Sequence, residues 1–284
     1  MKKVYLSLCA LLAFVCASCL GGGDSNNSVS FAVVQLNYNY DTTVDGNGAY
    51  LTLGEYTYAL DYDNNSATLT LKTIVEKGGS TLTNFSLSPM TMKITEKGYT
   101  FMGGYGSSGS YSITDMNGKI SGDNLISVNY NINNTLKVKS CPATMAFPYG
   151  NITPTEGEAW SSNVRMFVTP SIVAEKDTHA ATVYIYGLRW PGVEATDYPA
   201  TSFNDAALTA DAKGIHITMP AGVEELQIYG YNSIAQVAPE YKVNLGPEQT
   251  VSKVNINIDP ETWTVTGSYY IKDIPVEVNM RMFE

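Results

Sequence analysis

Side chains that do chemistry are few in this chain, and their spacings match known site geometries poorly. Cys16 and Cys19 stand as C-x-x-C. A redox pair at that spacing needs a βαβ context, whereas this pair ends an apolar leader. Gly104-Tyr105-Gly106-Ser107-Ser108-Gly109 spells G-x-G-x-x-G. A dinucleotide fingerprint also needs a strand before it, a helix after it and an acid ~20 residues on. Here the strand-like SYSITDMNGK follows, and position 129 is Asn. Asp61-Tyr62-Asp63-Asn64-Asn65 opens like a calcium loop, but Ser66 and Lys72 stand where the full motif wants Gly and Glu. Asx hydrogen bonds make the same residues an ordinary turn. His179, His216 and Cys141 do not supply the three or four close ligands of a zinc site. No G-x-S-x-G elbow is present. The 27 acidic residues can be paired at will, so no glycoside-cleaving pair stands out. The expectation is a non-enzymatic chain with no metal and no cofactor.

Tyrosine is out of proportion, with 20 against 8 Phe and 3 Trp. Tyr56, Tyr58 and Tyr62 fall with Leu60 on one side of a strand pattern. Tyr184, Tyr186 and Trp190 fall with Leu188 on another. Rings with polar tips suit sugars or protein partners. Aromatics are also favoured in strands as core packing. Both readings stand, and these six residues are the ligand-binding candidates, for a glycan, a small apolar ligand or an envelope protein.

The elements that must carry them read as strands. In IPVEVNMRMF, Ile274, Val276, Val278, Met280 and Met282 alternate with Glu277, Asn279 and Arg281. KVNINID repeats that alternation, and YTYALDY, ATLTLKTIV, ATVYIYGLRW, GIHITM and LQIYGY are rich in Thr, Tyr, Val and Ile. DNNS, EKGG, GGYGSSGS and DAKG punctuate them as turns. Asn117-Gly118 carries the signal of a tight hairpin. FNDAALTADAKG is expected as a short helix. Cys141, alone before a proline, is expected as a buried thiol.

The leader has Lys2 and Lys3, an apolar run from Val4 to Val15, then small residues Ala17 and Ser18. That is the order of a secretory signal, and the run is too short to span ~30 Å of hydrocarbon. The stretch resembles a bacterial lipoprotein signal, whose lipobox ends in a small residue followed by the lipidated cysteine. Ala17, Ser18 and Cys19 match its last three positions, while Cys16 stands where Leu is usual. The resemblance implies that residues 1–18 are removed and that Cys19 carries the lipid, making the membrane a partner through that anchor. Two or more acyl chains hold firmly where one is marginal. Leu20, in place of aspartate, points to the outer membrane; the periplasmic and surface faces both stay open. The Gly- and Asn-rich residues 19–30 read as a tether.

The whole chain has 17 basic and 27 acidic residues. Loss of Lys2 and Lys3 leaves 15 basic (17 − 2) and a net charge of −12 (15 − 27). Such a surface repels phosphate backbones, so nucleic acid is not an expected partner.

Two β domains are expected, over 31–145 and 146–284, as antiparallel barrel or sandwich units with little helix. Three echoes suggest duplication. Ala67-Thr68-Leu69 returns as Ala181-Thr182-Val183, Thr83-Asn84-Phe85 as Thr201-Ser202-Phe203, and Lys97-Gly98 as Lys213-Gly214, at offsets of 114, 118 and 116. Asn129-Tyr130-Asn131-Ile132 pairs with Ser268-Tyr269-Tyr270-Ile271 if the second copy carries an insertion. The lipobox, the tether and the strand rhythm over 56–132 resemble Bacteroidetes-type lipoproteins with calycin-like barrels. That resemblance implies an extracytoplasmic, envelope-anchored binding role. The competing expectations are a fimbrillin-like adhesive subunit and a lipocalin-like carrier of a small apolar ligand.

Overall fold

The structure is a computed structural model that describes residues 30–43, 49–61, 63–75, 81–96, 98–121, 126–154, 164–172, 179–187, 200–231 and 242–283. The leader with Cys19, the tether before Ser30, Tyr62 and Trp190 lie outside the described residues. Every described element is a strand and every pairing is antiparallel. Among the described residues no helix is long and apolar enough to cross a membrane.

The first sheet is built from β1 (Ser30–Thr43), β2 (Ala49–Asp61), β3 (Ser66–Val75), β4 (Thr81–Thr95), β5 (Gly98–Met102), β6 (Gly106–Ser108), β7 (Tyr111–Ser121), β8 (Ile126–Ile132) and β9 (Leu136–Pro142). Chain neighbours pair, β9 returns to β1, and β5 pairs with β7. The order β1-β2-β3-β4-β5-β7-β8-β9 therefore closes on itself, with β6 attached to β7 alone.

The second sheet holds β10 (Met145–Phe147), β11 (Tyr149–Pro154), β12 (Arg165–Ile172), β13 (His179–Tyr186), β14 (Ala200–Asp211), β15 (Gly214–Thr218), β16 (Glu225–Tyr231), β17 (Lys242–Asn244), β18 (Thr250–Asp259), β19 (Thr264–Ile271) and β20 (Ile274–Arg281). Its order runs from β10 through β12 to β20 and ends at β11. Only Pro148 separates β10 from β11. One stretch thus pairs with β12 through its first half and with β20 through its second, and this sheet closes too. Pro148 has no N–H to give a ladder, and it stands at the changeover. β15 and β16 share the place between β14 and β18, with β17 attached to β16.

The two rings match in detail. A register shift between Ala67 and Leu69 recurs between Ala181 and Val183. Another between Thr114 and Asn117 recurs between Ser252 and Asn255. The residues inside that second bulge, Asp115 and Lys253, both have positive φ, 56° and 50°. The turns before β9 and β20 differ: residues 133–135 hold two positive-φ asparagines, Asn133 at 48° and Asn134 at 55°, whereas the shorter 272–273 holds one positive-φ residue, Lys272 at 53°. Bulges bend and twist a strand at a set place, so matched bulges give both rings the same curvature. The shift between copies is 116 residues at Gly98 and Gly214, and 138 at Thr114 and Ser252. The start of β16 pairs with β18 as β6 pairs with β7, so most of the difference is an insertion in the second ring that holds the rest of β16 and β17. Asn129–Ile132 and Ser268–Ile271 then fall at equivalent registers. The Thr83–Phe85 echo does not: Leu87 stands opposite Leu69 and Phe203 opposite Val183, so Phe203 corresponds to Leu87, two residues further on.

Both interiors are filled by the apolar alternation of their strands. Tyr56, Tyr58, Leu60, Leu69, Met90, Phe101, Ile113, Val128 and Tyr130 pack the first. Met166, Val168, Val183, Ile185, Phe203, Ile217, Ile256, Tyr269, Val276 and Val278 pack the second. A filled interior is the usual state of a ring of eight strands. Two local expectations are corrected. FNDAALTADAKG is strand β14 and its turn; the bulge opposite Ala181 and Val183 interrupts the period of two, which blurred the strand signal. Asn117-Gly118 is no hairpin, because β7 runs straight through it. Gly118 is small because a Cβ there would lie 2.5 Å from the Phe101 ring and the Ser127 carbonyl oxygen.

The rings share a contact. The outer face of β1, β2 and β9 carries Tyr38, Tyr40, Leu51 and Cys141 into the same apolar cluster as the second ring's interior. The Tyr40 hydroxyl donates to the Asp211 carbonyl at 2.5 Å. Lys139 pairs with Glu261, and the Lys119 ammonium lies 3.6 Å over the Phe283 ring. Asp211 ends β14, and Glu261 and Phe283 follow β18 and β20, three strands running the same way, so the wall of the first ring closes one end of the second.

Candidate functional site

The sequence-derived tyrosines separate into two environments. Tyr56 and Tyr58 point into the first ring and are 0% and 1% exposed. β1 presents Gln35, Asn37, Asn39 and Asp41 to that interior, and the last three are buried. The Tyr56 hydroxyl donates to Asn39 Oδ1 at 2.7 Å and lies 2.9 Å from the Tyr130 hydroxyl. Asn37 Nδ2 reaches Tyr58 at 3.3 Å and Ser140 at 2.8 Å. Thr52 donates to Asp41 Oδ2 at 2.8 Å, and Gln35 bonds Asn37 and the Ile126 carbonyl. Burial, and then neighbouring tyrosines, push the Tyr58 and Tyr130 hydroxyls well above their usual pKa. The phenols therefore stay neutral and serve as hydrogen-bonding groups.

The second ring supplies a comparison. Through the shared registers, Asn37, Asn39, Tyr56, Tyr58 and Ser140 correspond to Gly150, Ile152, Met166, Val168 and Val278. The same ring closes with an apolar interior, so the fold does not require the polar one. Tyr56 and Tyr58 pack into the apolar cluster of the first ring, and these two act as core.

Tyr184 and Tyr186 point outward from β13, since Val183 and Ile185 between and beside them are the buried core. Around them the sheet gathers further rings. Tyr186 meets Phe167 edge-on at 5.0 Å between centroids, and Tyr184 meets Tyr231 at 5.8 Å. The Tyr231 hydroxyl lies 3.1 Å from the Ser202 hydroxyl. Phe167 pairs with Tyr184 across β12 and β13, and Arg165 with Tyr186. Ser202 pairs with Tyr229, and Ala200 with Tyr231. Burial, and then Tyr231, raise the pKa of Tyr184, and this phenol too stays neutral.

This patch is particular to the second ring. Where it sets Phe167 opposite Tyr184, the first ring sets Thr57 opposite Thr70. Tyr229 and Tyr231 come from β16, inside the insertion that the first ring lacks. Phe167, Tyr229 and Tyr231 were not among the sequence-derived candidates. LQIYGY was legible as a strand, but its neighbour across the sheet was not. Phe167, Tyr184, Tyr186 and Tyr229 are half-buried, as ring faces are when one side rests on the sheet and the other meets solvent.

His216 builds no reactive cluster. The ring nitrogens of His216 lie 2.6 Å from Asn257 Oδ1 and 2.8 Å from Asp211 Oδ1, and neither partner is a nucleophile-bearing hydroxyl or thiol. Cys141 is a buried thiol whose pKa burial pushes well up, as expected of an inert one. Among the described residues no three His, Cys, Asp or Glu side chains gather where a metal could be held. Compared with known protein families and with curated proteins, the chain matches no family model and none of those proteins.

Proposed function

We propose that this chain is a non-enzymatic, lipid-anchored binding protein of the cell envelope, held at the outer membrane through Cys19. It engages a glycan or an envelope protein through the aromatic face of its second ring. The observation that carries the reading is the convergence of half-buried Phe167, Tyr184 and Tyr186 on one outer face, backed by buried Tyr231, that the first ring does not build. Aromatic faces with polar tips are what sugar rings and protein hot spots pack against. The calycin resemblance is supported by the sequential closure of both sheets. A carrier of a small apolar ligand is less well supported, because side chains occupy both interiors. A donor-strand fimbrillin is less well supported because closure removes the edges such exchange needs.

The anchor is tested by palmitate labelling of wild type and Cys19→Ala; label in wild type alone is expected, and equal label in both refutes the anchor. The binding face is tested by screening the full chain against glycans and envelope extracts. Tyr184→Ala with Tyr186→Ala is expected to weaken whatever binds by at least tenfold. Unchanged binding removes the aromatic face from the reading.

A further inference from the structure

The second ring leaves one part of its outer wall uncovered. Asn151 and Thr153 on β11, Glu277 and Asn279 on β20, and Thr266 and Ser268 on β19 line a groove of about 530 Å³ floored by Gly267 and Val278. Two glycines let its strands lie close, Gly267 in the floor and Gly150 beside Asn151. Gly150 and Gly267 have φ of 124° and 141°, which side-chain-bearing residues rarely adopt. A Cβ would lie 2.2 Å from the Asn279 carbonyl oxygen at Gly150, and 2.1 Å from that of Asn255 at Gly267. The six polar residues form two rows across three strands, Asn151–Asn279–Thr266 and Thr153–Glu277–Ser268. Among the described residues, none of these six side chains makes a hydrogen bond within the chain. Polar side chains on the outer face of the first ring behave otherwise: Asn131 donates to Asp115 at 2.7 Å and Asn129 to Asn117 at 3.2 Å.

The same wall has a known use in the first ring. By register, Asn151, Thr153, Glu277 and Asn279 correspond to Tyr38, Tyr40, Lys139 and Cys141. Those four form the face that closes the end of the second ring. In the second copy the apolar pair Tyr38 and Cys141 has become two asparagines. Such a wall cannot seat the apolar end of another ring without stranding buried amides.

We propose that this groove is a saccharide-binding cleft for a neutral, hydroxyl-rich chain. Amides, hydroxyls and one carboxylate offer both donors and acceptors, and they repeat at the ~4.8 Å spacing of neighbouring strands, the scale of one sugar ring. The lining holds no cation to attract a phosphate or a carboxylate, and no aromatic or aliphatic side chain beyond Val278 to attract a lipid. The inference shares with the function proposed above only the premise that the chain binds through its outer surface; it is independent of the anchor and of the aromatic face.

The test is calorimetric titration of the full chain with neutral hexaoses of glucose (α- and β-linked), mannose and xylose. At least one is expected to bind. Asn279→Ala and, separately, Ser268→Arg, which fills the groove with a long side chain, are expected to weaken it at least tenfold at unchanged melting temperature. Tyr184→Ala is expected to leave that affinity as it was. Binding to none of the hexaoses overturns the cleft, as does binding that survives both groove variants. A hexaose that loses affinity in Tyr184→Ala and keeps it in Asn279→Ala belongs to the aromatic face, and likewise overturns the cleft as its site.

Discussion

At the scale of single residues, His216 is a group whose charge changes near neutral pH, and its surroundings favour the charged form. Burial alone would lower its pKa, and nearby Lys213 acts the same way. Hydrogen bonds to Asp211 and Asn257 outweigh both, so the net shift is upward from 6.5. A protonated ring can donate to both acceptors at once. Asp211 is shifted down, first by the bond from His216 and then by the Lys213 amide. The histidine's contribution to stability is complete below its unfolded pKa, ~6.5, and is lost as pH rises through the higher folded value. The aspartate's is complete above ~3.9 and is lost as pH falls through its lowered value. The pair should therefore stabilise most between about pH 4 and 6.5, by no more than about 1 kcal/mol at so exposed a site. Urea midpoints at pH 5.5 and 8.5 should differ more in wild type than in His216→Gln; equal differences would sink the assignment. Gly118→Ala tests a second single-residue claim. Its methyl must displace Phe101 or the Ser127 backbone, for a loss of about 1–3 kcal/mol; a hairpin glycine with open space beneath it would show no such steric loss. The sequence marked Gly118 as special but for the wrong reason, since the ring that makes it special lies 17 residues away in the chain (118 − 101).

At the scale of elements, strand parity was legible and strand partnership was not. The alternation in IPVEVNMRMF placed Val276, Val278 and Met280 inside, and they are buried. YTYALDY placed Tyr56 and Tyr58 on the face of Leu60, and all three are buried together. What the alternation could not reveal is that β1 is buried on both faces, with asparagines turned into its own ring and tyrosines turned toward the other. That follows only from which strands lie against it. The matched registers turn this into a prediction. Asn39→Ile, the residue standing at the equivalent place in β11, takes from the Tyr56 hydroxyl its acceptor in a buried setting, and should cost about 1–3 kcal/mol. Adding Tyr56→Met, again the equivalent residue, removes the stranded hydroxyl. Tyr130 is then left as Tyr269 already is in the second ring, fully buried with no partner for its hydroxyl. The double variant should be no less stable than the single one, with a coupling of at least ~0.5 kcal/mol in a double-mutant cycle. Additive losses would mean that the two rings are not interchangeable at these positions.

At the scale of the molecule, the sequence echoes pointed to two similar halves, and the pairing shows two rings of one strand order; their mutual contact was invisible beforehand. Cys141 read as an ordinary buried thiol, and it is buried, but together with Tyr38 it belongs to the core of the neighbouring ring. The change of sheet falls between Pro142 and Met145, and that short passage leads directly from β9 into β10. Tyr38, Tyr40, Leu51 and Cys141 thus continue an apolar cluster that starts inside the second ring. Two halves joined in this way should not unfold independently. Opening either one exposes apolar surface of the other, at roughly 25 cal/mol per Å². Calorimetry of the full chain should show a single transition whose van't Hoff and calorimetric enthalpies agree. Tyr40→Phe removes only the bond to the Asp211 carbonyl and should lower stability by about 1 kcal/mol while keeping one transition. Tyr38→Ala with Tyr40→Ala empties the contact itself. Each buried ring is expected to cost about 3–5 kcal/mol, and the loss should split the melt in two. The lower transition should belong to the second ring, whose end the tyrosines close. Tryptophan fluorescence can assign it, because all three tryptophans, Trp160, Trp190 and Trp263, lie in the second half of the chain. Two transitions already present in wild type, or a double variant that still melts as one, would show that the shared cluster does not couple the rings.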